Sequence, residues 1–550
     1  MSGLLAVILP LALVVLMAIP GRARNAVCLI APLAPLALLP ALLAPGHLEL
    51  GLQLVGLMLT PDSASMPLMW LTLLAWGLAG WLAASHIDRR RTSFWCGWLL
   101  ALTGMNLLLL AGNLVTFYLG YALMSLSAYL LVVHSATDEA WRAGRIYLIL
   151  ALIGEAAILA GILLVAGQLG NVAFVDLSAD PLAVATGPAR WVLLAGFAVK
   201  LGIVPLHMWL PLAHPVAPVA ASAILSGIMV KAGLMGWIRM VPVLAADPPV
   251  IGQMLLTLGL ITAFAGVMLG LTQKRIKTVL AYSTISQMGL VLCGFSLIFL
   301  IPTEREMVLA MLGLLALHHG LNKAALFIGC ACQPGASRWR LLLFALPALS
   351  LAAVPISTGF LAKDALKSVL ALAMLGEMFI VVLALTSTAT ALLMWKAFRL
   401  AQAMNDASQP IHPAWVALVL AALVAPWLHA VSLDLVTWPG ADKLFDATWP
   451  LLLAMSLIAL WQFLPARLHL KLPEGDLVVI FERLAAWLAR AGRRAADMKR
   501  STDRQPLDWH DDRRFGQSLL NRLAGLEASM PLVGLALLAT AVLLWLLAGG

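Results

Sequence analysis

Four lysines sit inside apolar runs. Lys200 lies in LLAGFAVKLGIVPLHMWLP, Lys231 in SAILSGIMVKAGLMGW, Lys323 in LALHHGLNKAALFIG and Lys363 in AAVPISTGFLAKDALKSVLALAML. Each has mostly apolar neighbours for a turn or more on both sides. A lysine at mid-membrane costs roughly 2.5–3.5 kcal/mol on insertion scales. Four at mid-depth would cost on the order of 10–14 kcal/mol, more than drift readily sustains. An amine taken out of water can exchange a proton near neutral pH. The chemistry these residues suggest is therefore proton transfer through a bilayer. Snorkelling from helix ends is the alternative. It is strongest for Lys363, where Asp364 and Lys367 follow and can mark a helix end.

Other polar residues cluster around the lysines. Glu155, in LILALIGEAAILAG, is the clearest acid within an apolar run and can pair with a lysine or stand as a satisfied, inert carboxylate. His207, His214, His318 and His319 flank the lysines and can relay protons. His319 falls one turn before Lys323 on a helix, which favours a relay role. His214 beside Pro215 is expected in a turn. Proline frees a backbone carbonyl, which lipid tolerates only against protein or a wet cavity. Lys200 is followed by Pro205, Pro211, Pro215 and Pro218, whereas Lys363 is preceded by Pro355 and Gly359. A pair of broken helices in mirrored order points to inverted repeats with a site at each break.

The elements that must hold these residues follow from composition. The chain has 550 residues, 62% hydrophobic and 11% charged. That balance excludes a soluble globular enzyme and a disordered chain. Continuous apolar runs exclude a β-barrel. The class expected is an all-α polytopic membrane protein with about 14–16 transmembrane helices. The net charge of +9 reflects basic loops and not nucleic-acid binding. The five cysteines lie in or beside apolar runs and read as core packing. No P-loop, dinucleotide fingerprint, H-E-x-x-H or Cys/His cluster is found, so neither cofactor, metal nor catalytic site is expected.

Basic clusters recur with about two apolar runs between them: Arg22 and Arg24; Arg89 to Arg91; Arg142 and Arg145; Lys274, Arg275 and Lys277; Arg338 and Arg340; Lys396 and Arg399. The opposite ends carry Asp62, Asp176, Asp180, Asp247, Glu304 and Glu306. One helix hairpin per interval fits, with the basic clusters cytoplasmic. The apolar stretch Leu4 to Ile19 precedes its charges, so it reads as a first crossing and not a cleaved leader. The organisation expected is N-terminal transmembrane helices over 1–94, a first repeat over 95–245, a second over 246–400 and further helices over 401–465. An amphipathic helix follows on the cytoplasmic side over 466–528, where Leu484, Trp487 and Leu488 oppose Arg483, Arg490, Arg493 and Arg494. A final anchor closes the chain over 529–550.

With these residues in view, the sequence resembles the antiporter-like membrane subunits of respiratory complex I, the Mrp cation/proton antiporters and the membrane-bound hydrogenases. GFAVKLGIVPLHMWLPLAHPVAPVAASAILSGIMVKAG, KRIKTVLAYSTISQMG, HHGLNKAALF and PISTGFLAKD match family signatures in the family's order. The likeness covers roughly residues 95 to 400. It implies fourteen core helices in two inverted five-helix repeats, a half-channel in each, and a midplane chain of charged and polar residues. By motif position it assigns Lys200 to the first broken helix and Lys231 to the connecting helix. Lys323 becomes the second-repeat lysine, with His319 beside it, and Lys363 the terminal lysine on the second broken helix. One departure stands out. The family glutamate that pairs with the lysine numbered 200 here is replaced by Ala122 in FYLGYALMSLSAYLLV. Glu155, on the next helix, is the candidate replacement. Arg275 stands where the family usually has Asp, and Leu315 replaces a histidine often found before His319.

The function expected is a proton-translocating subunit of a multi-subunit complex, working through Lys200, Lys231, Lys323, Lys363, His319, Glu155, His207 and His318. Other membrane subunits, and a soluble or peripheral protein, are the expected partners, in a bacterial inner membrane. The alternatives are a subunit of a Mrp-type sodium/proton antiporter and the proton-conducting part of an inorganic-carbon uptake complex. An intramembrane hydrolase would need a Ser/His or metal constellation, and His318 with His319 is a poor one. A purely structural scaffold would leave transport unchanged after Lys200→Ala.

Overall fold

In lipid a chain must satisfy its own backbone hydrogen bonds, so long apolar runs close into helices. The computed structural model describes residues 2–50, 56–169, 173–174, 187–241, 247–405, 410–433, 435, 440–463, 473 and 478–479. The expected final anchor, and the amphipathic segment apart from residues 473, 478 and 479, lie outside the described residues. So do Asp176 and Asp180.

The N-terminal helices are α1 (Ser2–Leu16), α2 (Arg22–Ile30), α3 (Leu39–Leu43), α4 (Met66–Leu71) and α5 (Gly77–His86). A small antiparallel hairpin, β1 (Leu48–Leu50) with β2 (Leu57–Leu59), pairs Leu48 with Leu59. Strands of three residues are too short to leave a period in the sequence, and none was expected. Next come α6 (Arg91–Leu110), α7 (Leu114–Val132), α8 (Asp138–Leu169), α9 (Pro188–Leu201), α10 (Trp209–Val216), α11 (Val219–Ile224) and α12 (Lys231–Met240). They are followed by α13 (Pro249–Leu271), α14 (Ile276–Leu300), α15 (Arg305–Ala331), α16 (Arg338–Leu351), α17 (Thr358–Leu372) and α18 (Glu377–Gln402). The described helices end with α19 (Pro413–Ser432) and α20 (Ala441–Phe463). Among the described residues, twelve helical stretches are long and apolar enough to span a membrane. The protein is an all-α polytopic membrane protein, with the small hairpin as its β-structure among those residues.

The hairpins α6–α7 and α13–α14 close by the same device. A methyl group on Gly104 would meet the Met124 amide at 2.3 Å, and one on Gly289 would meet the Ala263 amide at 2.5 Å. Backbones this close exclude any larger side chain and lock each pair.

Two helices break. The first stops at Leu201 because Gly202 turns left-handed, with φ 72°, and its amide closes on Ala198 O and Val199 O. Pro205 follows in the connecting turn, and the chain resumes helix at Trp209. The second stops at Leu351, and Ala353 and Ile356 adopt positive φ in the connection. Ser357 then caps α17 by accepting from the Phe360 amide at 3.2 Å. Between α11 and α12 the helix widens into a π-turn over Leu225–Met229.

Cross-contacts sort the loops into two sides. Arg275, before α14, pairs with Glu139 at the start of α8. Arg90, before α6, donates to His134 O after α7 at 3.3 Å. These basic loops therefore share one face. On the other face Arg190 pairs with Asp247 at 2.8 Å, both buried. There too the Arg239 guanidinium donates to Leu108 O, Leu109 O and Ala111 O at the end of α6, and to Asp62 at 3.1 Å. It thus fills orphan carbonyls that a helix C-terminus leaves open.

Candidate functional site

Lys200 occupies the last turn before the first break and is 4% exposed. Its Nζ donates to Ser125 Oγ at 3.2 Å on α7 and to Tyr147 Oη at 3.0 Å on α8. The Tyr147 hydroxyl donates to Ser125 O at 2.7 Å. The ammonium also lies 5.3 Å from the Tyr147 ring and 5.6 Å from the Trp209 ring, within cation–π range. Trp209 Nε1 donates to Val199 O at 2.8 Å, serving a carbonyl freed by the break. A cavity of about 10 Å³ sits among Tyr121, Ser125, Tyr147, Gly154, Lys200 and Trp209, close to the room one water needs.

Glu155 is buried on α8, with Ser125 and Lys200 within electrostatic range of its carboxylate. Its Oε1 has no hydrogen-bond partner among the described residues. Ser125 thus stands between Glu155 and Lys200. It lies three residues beyond Ala122, on the helix where the family glutamate would sit.

Lys231 and Lys323 are fully buried and linked. Lys231 follows the π-turn, and its Nζ donates to Ser226 O at 2.9 Å. Ser226 Oγ and Thr284 Oγ1 are 2.6 Å apart, and Thr284 Oγ1 donates to Leu280 O at 3.1 Å. Lys323 Nζ donates to the same Leu280 O at 2.7 Å. Three helical segments that meet only in the fold thus carry a polar bridge from one lysine to the other.

The two adjacent histidines of α15 face different neighbours. His319 is 2% exposed, and neither ring nitrogen has a hydrogen-bond partner among the described residues. It lies within electrostatic range of Lys231 and Lys323. His318 Nδ1 instead meets Thr358 Oγ1 at 2.9 Å and Asn322 Nδ2 at 3.1 Å. Thr358 opens α17, so His318 rests against the second break. His207 sits in the first break, its ring 6.3 Å from that of Tyr282.

His214 corrects an expectation. It lies within α10 and not in a turn, fully buried and stacked on Phe327 at 4.7 Å. Other groups serve the carbonyls that the end of this helix leaves open. Ser222 Oγ donates to His214 O at 3.1 Å, and Lys277 Nζ donates to Pro215 O at 3.3 Å and to Ala217 O.

Lys363 lies on α17 and is 6% exposed; its Nζ donates to Ser387 Oγ at 2.9 Å on α18. Among the described residues, none of the four lysines is ion-paired with a carboxylate. Their partners are hydroxyls and backbone carbonyls. Ser125, Tyr147, Ser226, Thr284 and Ser387 were not singled out by sequence reasoning. No His/Cys/Asp/Glu group able to hold a metal occurs among the described residues.

Residues 111–338 match the transmembrane family model of NADH:quinone oxidoreductase and Mrp antiporters. The chain is 34% identical over 239 residues to hydrogenase-4 component B of Escherichia coli K12, covering 42% of this chain and 35% of that protein. It is 30% identical over 290 residues to NADH-quinone oxidoreductase subunit M of Pseudomonas aeruginosa, covering 50% of this chain and 56% of that one. The matches thus span between about a third and just over half of these relatives. The Mrp complex of Dietzia sp. DQ12-45-1b superposes with a TM-score of 0.75 at 20% identity, over 96% of this chain and 62% of that chain. An archaeal membrane-bound sulfane sulfur reductase superposes with a TM-score of 0.66 at 20% identity, over 95% of this chain and 99% of that chain. By these matches residues 111–338 are similar to the transmembrane domain of NADH:quinone oxidoreductase and Mrp antiporter subunits, and the chain shares the fold of the two superposed membrane-complex chains.

Proposed function

We propose that the chain is a proton-translocating subunit of a multi-subunit complex in a bacterial inner membrane. One observation carries this reading: four buried lysines, each bonded to a hydroxyl or backbone carbonyl, with no ion-paired carboxylate among the described residues. A buried ammonium without a counter-charge is costly, so such groups persist where they exchange protons. Lys200 takes the first-repeat position, with Ser125 passing the influence of Glu155. Lys231 and Lys323 form the connection, with His319 between their charges. His318 and Lys363 serve the second break, and His207 the first. The superposed Mrp and sulfane sulfur reductase structures are complexes, which supports neighbouring membrane subunits as partners.

The test is substitution of Lys200, Lys323 and Lys363 by Ala, one at a time, in the intact complex. Each change is expected to cut proton-coupled activity at least about tenfold while assembly persists. Full activity in all three variants refutes the reading. Mass spectrometry of the complex purified from native membrane identifies the driving reaction. Iron–sulfur, flavin or nickel proteins mark a redox pump, several small membrane subunits a sodium/proton antiporter, and a soluble zinc protein inorganic-carbon uptake.

A further inference from the structure

A cavity of about 20 Å³ adjoins Lys363, room for about one water. Phe360, Lys363, Asp364, Lys367, Lys443 and Asp446 line it. Helix α17 runs away from the basic residues Arg338 and Arg340 at the start of α16. The cavity therefore lies toward the face opposite the basic loops. Two of its charged residues come from α20, outside both repeats.

The arrangement of charges is specific. Lys363 Nζ is held on Ser387 Oγ at 2.9 Å. The carboxylate of Asp364, the next residue, is occupied by Lys443 Nζ at 2.9 Å. The two side chains are 22% and 30% exposed, so the pair is only partly wetted. Lys367, one turn on, lies within electrostatic range of Asp364 and Asp446. Asp446 is exposed. A cavity with room for about one water, and one engaged carboxylate, thus adjoin the buried amine.

We propose that the Asp364–Lys443 ion pair is a gate, supplied by α20, on an outward proton-release port for Lys363. Closed, the carboxylate is committed to Lys443 and accepts nothing from Lys363. When Lys443 swings away, the Lys363 ammonium passes its proton through the cavity water to the Asp364 carboxylate. Lys363 is left neutral, and the proton leaves Asp364 for Asp446 or bulk water. The inference rests on the reading of Lys363 as a proton carrier.

The test uses the intact purified complex in liposomes, with a trapped pH dye reporting passive proton flux. Lys443→Met is expected to raise that flux about fivefold, the factor matching about 1 kcal/mol for a partly exposed pair. Asp364→Asn, which cannot take the proton, is expected to lose flux, and adding Lys443→Met to it is expected to restore nothing. Unchanged flux in Lys443→Met, or in Asp364→Asn, overturns the gate. Lys363→Ala in the same liposomes separates the two failures. Flux that survives Lys363→Ala overturns the carrier reading. Flux that stops there, yet ignores Lys443→Met and Asp364→Asn, overturns the gate alone.

Discussion

Lys323→Met should make the protein more stable and less active at once. Lys323 is fully buried, and its Nζ makes one hydrogen bond, to Leu280 O at 2.7 Å. Burying a lysine at mid-membrane costs roughly 3 kcal/mol. The hydrogen bond returns about 1 kcal/mol. Leu280 O also accepts from Thr284 Oγ1, so removing the amine does not orphan it. Methionine has nearly the same length and volume and leaves little cavity. The net gain is therefore about 2 kcal/mol, or a rise of about 2–4 °C in the melting temperature of the detergent-purified complex. Lys323→Ala is the contrast, because the lost volume costs about 2–5 kcal/mol. Both variants should lose proton transport at least about tenfold in liposomes. The assay pairs a thermal melt with dye-reported proton uptake on one preparation. A Met variant less stable than the parent would refute the reasoning, because the lysine would then be a net structural asset. A Met variant with full transport would refute the proton role.

Three further outcomes follow from the geometry. Glu155→Gln removes a negative charge near Lys200, and Ser125→Ala removes the hydroxyl that accepts from the Lys200 ammonium, so each should slow transport about tenfold. Their double variant should be no slower than either alone; additive losses would show that Ser125 does not link Glu155 to Lys200. Gly359→Ala should abolish assembly, because a methyl group there would lie 1.7 Å from Ser350 O, whereas Gly167→Ala meets nothing within 4 Å and should assemble normally; gel filtration of the two decides it. Arg239→Ala should cost about 3–5 kcal/mol by leaving three carbonyls at the end of α6 without their charged donor, the half-exposed Asp62 adding little; it is read as lost yield of folded complex, and Arg239→Lys should not restore it.

The lysines were legible in the sequence because apolar flanks of a turn or more leave a charge conspicuous. Their partners were not. Ser125 and Lys200 are 75 residues apart, and Ser226 and Thr284 are 58 apart. A serine within a membrane helix looks like ordinary packing until folding brings a distant ammonium to it. The breaks were visible as prolines, but the turning residues Ala353 and Ile356 were not. Neither type favours a left-handed backbone, so only tertiary packing can hold them there. His214 was misread for a related reason. Pro215 reads as a break, yet it falls in the last turn of a helix that runs to Val216, whose open end carbonyls are met by Lys277 and Ser222 from other helices.

The π-turn over Leu225–Met229 makes the position of Lys231 a matter of counting. Here the Val230 amide donates to a carbonyl five residues back, Leu225 O, where a regular helix bonds four back, and the Lys231 amine is brought onto Ser226 O. Deleting one residue from this turn would restore α geometry and swing Lys231 by about 100° around the helix, while shifting it about 1.5 Å along the axis. The lysine would then point away from Ser226, Thr284 and the bridge to Lys323. Every side chain would keep its identity, yet the connection between the two halves would be cut. This stretch should therefore tolerate substitution far better than any change in length.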